Sequence, residues 1–94
     1  MISLGTELTN RNATAVLRGA LDAVARGEAR VDCGKLNRVD SSAVAVLLAL
    51  HRAAQARGGR IGFVAVPAQL LSLAALYGVD GLLDLDATAD QPRH

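Results

Sequence analysis

The chain has few of the residues on which binding and catalytic chemistry most often depends. Its 94 residues include one cysteine, Cys33, no tryptophan and only two aromatic side chains, Phe63 and Tyr77. A single cysteine excludes an intramolecular disulfide and agrees with a reducing compartment. So few aromatic faces argue against the stacking platforms that bind single-stranded nucleic acid. The core must therefore be built from alanine, valine, leucine and isoleucine.

Neither a strong net charge nor a long apolar run is present. The formal charge is +1, so there is no global basic field for nucleic acid or anionic lipid. Four acidic residues lie in the last fifteen, which leaves the preceding body mildly basic and suggests polar partner contacts at most. The longest apolar run, residues 43–50, is far shorter than the roughly 20 residues that span a bilayer, and the start lacks a signal-peptide pattern. These features predict a cytoplasmic protein without direct membrane insertion.

Motifs for catalysis or cofactor binding are also missing. The sequence has no phosphate-binding glycine loop and no cluster of metal-ligating residues. Asp40, Ser41 and His51 have the residue types of a hydrolase triad. However, Ser41 and His51 are expected on one helix, about 15 Å apart at 1.5 Å of rise per residue. We therefore expect no catalytic residues, no cofactor and no metal, and we predict that the protein is not an enzyme.

The spacing of apolar residues predicts alternating strands and helices. Strands are predicted over residues 2–8, 29–33 and 60–66, helices over 13–26, 40–57 and 67–77, and a short apolar strand or turn over 82–85. This order predicts a small α/β domain with a mostly parallel sheet and helices packed against it. We place the domain at residues 1–86 and a mobile C-terminal tail at residues 87–94, which has nothing to bury.

The helix that begins at Asp40 is the most informative segment. One face is apolar and fits against a sheet, whereas a second stripe is small and apolar where a solvated helix carries charge. Such a stripe permits close approach of a partner. The alternative is that neighbouring elements of the same chain bury it. Asp40 is the predicted helix cap, and Ser41, at the helix start, is a candidate phosphorylation site. The predicted partner-binding residues are Ser41, Ser42, Ala45, Leu48, Ala49 and Arg52.

Residues 31–66, VDCGKLNRVDSSAVAVLLALHRAAQARGGRIGFVAV, resemble the core of STAS domains (sulfate transporter and anti-sigma factor antagonist). The shared pattern is a strand, a connector that ends in Asp-Ser or Asp-Thr, and a helix whose first turn carries the regulatory residue. The resemblance covers roughly residues 2–85 and implies a STAS-like mixed, mostly parallel sheet and a protein-binding function. Residues 67–83 are most similar to the MlaB branch, the cytoplasmic STAS subunit of a phospholipid-transport ABC complex in Gram-negative bacteria.

The MlaB branch and the anti-sigma branch imply different partners. The first implies that Ser41, at the position of the branch's threonine, docks on an MlaF-like ABC transporter ATPase within a permease complex. The protein would then sit at the inner face of the inner membrane and serve outer-membrane lipid asymmetry. The second implies an anti-sigma factor or serine kinase as partner and a phosphorylated Ser41. Residues 42–44, Ser-Ala-Val, depart from the Ser-Gly-Leu of the anti-sigma branch and from the Gly-Gly-Leu of the MlaB branch.

The start of the chain departs from the family pattern as well. STAS domains generally have a further strand before the one predicted at residues 2–8. Without it, the sheet is expected to have an uncovered edge, at which homo-oligomers can form through a second copy.

Overall fold

The computed structural model describes residues 1–87, and these contain three helices and six short strands. The helices are α1 (Ala13–Ala25), α2 (Ser41–Ala56) and α3 (Ala68–Leu76). The strands are β1 (Ile2–Ser3), β2 (Glu7–Leu8), β3 (Arg30–Asp32), β4 (Arg38–Val39), β5 (Gly62–Val66) and β6 (Asp84–Ala87). The predicted α/β class is confirmed, and each helix ends within one residue of its predicted bound.

The strands form two parallel sheets rather than one. The main sheet has the order β1-β3-β5-β6, and β2 pairs with β4 beside it. Every strand pair among the described residues is parallel. Among the described residues, β1 is an edge strand of the main sheet and pairs only with β3. Pairing of a second copy at this edge stays a prediction.

The single strand predicted over residues 2–8 is wrong, because the chain changes sheets within it. Ile2 pairs with Val31 in the main sheet, whereas Leu8 pairs with Val39 in the small one. Between them Gly5 has φ +79°, in the left-handed region that glycine adopts without strain. Alternation of apolar residues continues through this bend, so the period alone does not reveal it.

The end of the domain also differs slightly from the expected boundary. Ala87 was assigned to the tail, but it is the last residue of β6 and is paired with Val66. It therefore belongs to the folded sheet. The rest of the predicted tail, residues 88–94, lies outside the described residues.

The core lies between the main sheet and the helices, and it is aliphatic apart from one ring. Phe63 in the central strand β5 is fully buried, as are Val31 of β3, Leu47 and Leu50 of α2 and Leu70 of α3. Val39 of β4 also belongs to this core. Packing on this core fixes the position of α2, which carries all six predicted partner-binding residues.

Cys33 belongs to this core and is expected to be chemically inert. Burial, and secondarily the nearby charge of Asp32, raise the pKa of its thiol to about 12, so the reactive thiolate is absent at neutral pH. The stabilisation from keeping the thiol neutral is complete below the unfolded-state pKa near 9.0 and is lost as pH rises towards 12. We expect a thiol reagent at pH 8 to label the unfolded chain in denaturant rapidly and the native chain only as it unfolds. Labelling of the native chain at the unfolded rate would contradict this.

Candidate partner-binding site

The first turn of α2 is fixed by the carboxylate of Asp40. One oxygen accepts a hydrogen bond from the Ser42 amide at 2.8 Å, which is the N-cap interaction, and the other accepts from the Asn10 amide at 3.0 Å. The bond from Asn10, together with the amide and hydroxyl of Ser42, holds the pKa of Asp40 below its usual value. Asp40 thus caps α2 and ties its start to the loop that precedes α1.

Removal of this cap is expected to destabilise the domain in a pH-dependent way. At neutral pH we expect Asp40→Ala to lower the free energy of unfolding, and Asp40→Asn to lower it less because the amide oxygen still accepts. A carboxyl whose pKa is depressed on folding stabilises the fold above its unfolded pKa, 3.8 for Asp40, and that stabilisation is lost as pH falls through the folded value. Urea unfolding should therefore show wild type and Asp40→Ala converging below about pH 4. An equal gap at acid and neutral pH would show that the carboxylate charge is not involved.

Ser41 and Ser42 occupy different environments although they are adjacent. Ser42 is half-buried and its polar groups turn towards Asp40. Ser41 is exposed, and the hydrogen bonds that hold this turn use Asp40 and Ser42 rather than its hydroxyl. Of the two serines predicted to contact a partner, only Ser41 therefore presents its hydroxyl freely at the surface.

An apolar groove of about 380 Å³ begins beside Ser41 and is called here the α2–α3 groove. One wall lies on α2 and the other just after α3. The α2 wall consists of Ser41, Val44, Ala45 and Leu48, and the other wall consists of Tyr77 and Val79. Tyr77 is 54% exposed and the adjacent Leu76 is 75% exposed. Contiguous exposed apolar side chains of this kind mark protein-interaction sites, and tyrosine is enriched in them.

The groove contains only part of the predicted site. Ser41, Ala45 and Leu48 lie together in it because residues three and four apart share one face of a helix. Ala49 and Arg52 do not line it: Ala49 is half-buried and Arg52 is exposed farther along α2. The structure therefore concentrates the candidate site on the first two turns of α2.

Sequence reasoning missed the contribution of the segment after α3. Tyr77 ends the helix predicted over residues 67–77 and was not among the predicted partner-binding residues, but its side chain is mostly exposed and lines the groove. A signal was available: α3, AQLLSLAAL, is apolar almost all round, yet only Leu70 and Ala74 are buried in it. A helix that is apolar on every side is expected to be buried by other protein surfaces on more than one face.

The other polar groups considered from the sequence lie apart from this groove. His51 is half-buried, with its Nε2 atom buried and without a hydrogen-bond partner, and it lines a cleft with Gln55, Arg60 and Asp84. Ser41 is not part of that cleft. Within residues 1–87, no three acidic, histidine or cysteine side chains are grouped closely enough to hold a metal ion. Nor does that part of the chain contain a helix of the length and apolarity required to cross a membrane.

The parallel sheet, the helix that begins at an exposed serine and the apolar groove beside it define a small α/β domain with an exposed face at the start of α2. A family model described as "Mlab, STAS domain" matches residues 1–84. The chain therefore belongs to the STAS domain family, in its MlaB-type branch. STAS domains are generally binding domains without catalytic activity. No curated protein matches the chain significantly.

Proposed function

We propose that the chain is a non-enzymatic subunit that docks on the ATPase of an ABC phospholipid transporter and supports that ATPase. The α2–α3 groove, which begins at Ser41, is the observation that carries this proposal. In this role the chain is cytoplasmic and is held at the inner face of the inner membrane by its partner. The transport that it serves maintains the lipid asymmetry of the outer membrane.

The chemistry of the groove suits a protein surface. Ser41 and Ala45 are small and exposed, so a partner's backbone or side chain can approach α2 closely. Leu48 and Tyr77 add apolar surface to the groove, and the Tyr77 hydroxyl can form a hydrogen bond at the rim of the groove. We therefore expect the ATPase to contribute an apolar side chain to the groove and a polar group beside Ser41.

An anti-sigma factor antagonist is the second candidate, and one observation favours it. Because Asp40 provides the cap, the Ser41 hydroxyl is exposed and is not needed to hold the helix start. A phosphate on that oxygen would lie at the N-terminus of a 16-residue helix, where negative charge is favourable. In this alternative the partner is an anti-sigma factor that also acts as the serine kinase.

Affinity capture from the native host separates the two candidates. Tagged wild type, Ser41→Arg and Ala56→Arg are captured, and the bound proteins are identified by mass spectrometry. We expect an ABC ATPase and its permease with wild type and with Ala56→Arg, which lies outside the groove at the end of α2, but not with Ser41→Arg. Retention of the ATPase by Ser41→Arg would reject the site, and capture of a kinase with phosphorylated Ser41 would replace the transporter function by its alternative.

A further inference from the structure

Two loops of the chain repeat the same basic pattern. Residues 26–30, RGEAR, connect α1 to β3, and residues 57–60, RGGR, lead from α2 towards β5. In each loop an arginine is the helix C-cap, the following glycine has a positive φ and a second arginine ends the run. The φ angles of Gly27 and Gly58 are +98° and +76°. Both loops therefore turn back to the sheet in the same manner, through a residue type that tolerates the left-handed region.

The sheet places these loops side by side. Strands β3 and β5 are parallel neighbours, and Arg30 is paired with Gly62 in their register. The Gly62 amide also donates a hydrogen bond to the Ala29 carbonyl at 2.9 Å. Both loops thus lie at the end of the sheet where the strands begin. We call this surface the arginine end; it is defined by Arg26, Arg30, Arg57 and Arg60.

The positive charge of the arginine end is largely uncompensated. All four arginines are exposed. The single salt bridge among residues 1–87 joins the Met1 amino group to Glu28 at 2.8 Å, so the acid between the arginines is already paired. Asp84 begins β6 at the side of this end and lines a cleft with Arg60, but no carboxylate of the described chain lies within 4.0 Å of these guanidinium groups.

The opposite end of the sheet has no excess of basic residues within the described part of the chain. Its loops and strand ends carry three basic and four acidic residues, namely Arg11, Lys35, Arg38, Glu7, Asp32, Asp40 and Asp86. The near-zero net charge of the whole chain therefore conceals a local asymmetry that only folding creates. At the arginine end, the four arginines outnumber the two acids that lie there in the described chain, Glu28 and Asp84, and such a local basic excess attracts anions even when the total charge is small.

Two shallow recesses open on the arginine end. One, of about 360 Å³, is lined by Met1 and residues 26–30, and the other, of about 250 Å³, is lined by both loops and includes Arg57 and Arg60. The guanidinium fork matches the geometry of a phosphate group. Met1, 65% exposed, places an apolar side chain beside the first recess. A basic surface with an apolar side chain at its margin is the arrangement that suits a lipid headgroup layer.

We propose that the arginine end binds the phosphate headgroups of anionic phospholipids at a membrane surface. An extended acidic peptide would require a free strand edge or a continuous groove, whereas these loops begin strands that are already paired. Single-stranded nucleic acid would require aromatic faces, and neither Phe63 nor Tyr77 lines these recesses. The proposal does not depend on the identity of the protein partner, because it concerns the end of the sheet away from Ser41.

Sedimentation of the purified chain with lipid vesicles tests this proposal. We expect binding to vesicles of phosphatidylglycerol and phosphatidylcholine in equal parts, little binding to phosphatidylcholine alone, and release by salt. Each arginine should contribute about fivefold, so the double variant Arg30→Gln, Arg60→Gln should partition about 25-fold more weakly. Arg57 is left in place because it donates to the Ala25 carbonyl at 2.6 Å and so has a structural role.

The matched control removes the same charge from the other end. Arg11→Gln combined with Arg38→Gln should bind the anionic vesicles like wild type, and thermal melts confirm that both double variants are folded. If both double variants lost the same amount of vesicle binding, the binding would depend only on net charge, and the proposal would be overturned. So would absence of binding, complete competition by soluble glycerol phosphate, or stronger binding to polyglutamate than to the vesicles. Because no ATPase is present, none of these results bears on the proposed docking function.

Discussion

Replacement of Ala45 by arginine is expected to weaken binding to the proposed ATPase partner at least thirtyfold while leaving the domain folded. Ala45 is exposed on the α2 wall of the groove, between Ser41 and Leu48. A long cationic side chain there fills the space that a partner would enter and places a charge in an apolar contact. Loss of a central interface contact typically costs about 2 kcal/mol or more, which is about thirtyfold in affinity.

The same helix supplies the control for this variant. Ala56 is also exposed, but it is the last residue of α2 and does not line the groove. We expect Ala56→Arg to bind like wild type and both variants to have wild-type circular dichroism and melting temperatures. Affinities are measured by calorimetry with the purified ATPase. Equal affinities of wild type and Ala45→Arg would show that the groove is not part of the docking surface.

Truncation of Phe63 is expected to cause the largest loss of stability. Its ring is fully buried in β5, with Val31 opposite it on β3 and Leu85 opposite it on β6. Deletion of a buried phenylalanine costs about 3–5 kcal/mol, the lost transfer energy plus the cavity that remains. A domain of this size has a total stability of only about 5–15 kcal/mol, so Phe63→Ala should bring the chain close to unfolding at 25 °C.

Equilibrium unfolding in urea measures this loss, with Phe63→Leu as the comparison that removes less apolar volume. The leucine variant keeps most of the apolar volume and should lose less than about 1.5 kcal/mol. The difference between the two variants isolates the cavity from the loss of the ring itself. A loss below about 1 kcal/mol in Phe63→Ala would mean that the surrounding aliphatic side chains collapse into the space, contrary to the expectation for a close-packed core.

Much of the fold is predictable from the sequence because the strongest signals are periodic and local. The apolar spacing of α2 and the glycines after it place both ends of this helix within one residue. The strand over residues 2–8 was wrong for a physical reason. Gly5 turns the chain from one sheet to the other, and pairing of Leu8 with Val39 depends on a strand that lies thirty residues later. Such a partner leaves no trace in the local alternation.

The candidate site is also only partly predictable from local sequence, because some of its residues are brought in by tertiary packing. Asp40 at the cap and Ser41, Ala45 and Leu48 on one face follow from residue type and helical spacing alone. Tyr77 enters the site because of the way α3 crosses beside α2, which spacing within one helix does not specify. The arginine end is similar: two RG…R runs are visible in the sequence, but only the adjacency of β3 and β5 makes them one surface.

The hydrogen bond between Asn10 and Asp40 also constrains the order in which the chain can fold. It joins residues separated by 30 positions, and the pairing of β2 with β4 next to it spans a similar distance. Closure of such a loop must be offset by contacts that form only afterwards, and parallel pairings of this kind slow folding. We therefore expect the bond from the Asn10 amide to Asp40 to form late, after β4 has met β2, whereas the cap bond from the Ser42 amide spans only two positions and needs no such closure. A chain that has not finished folding then lacks the tie between the start of α2 and the loop that precedes α1.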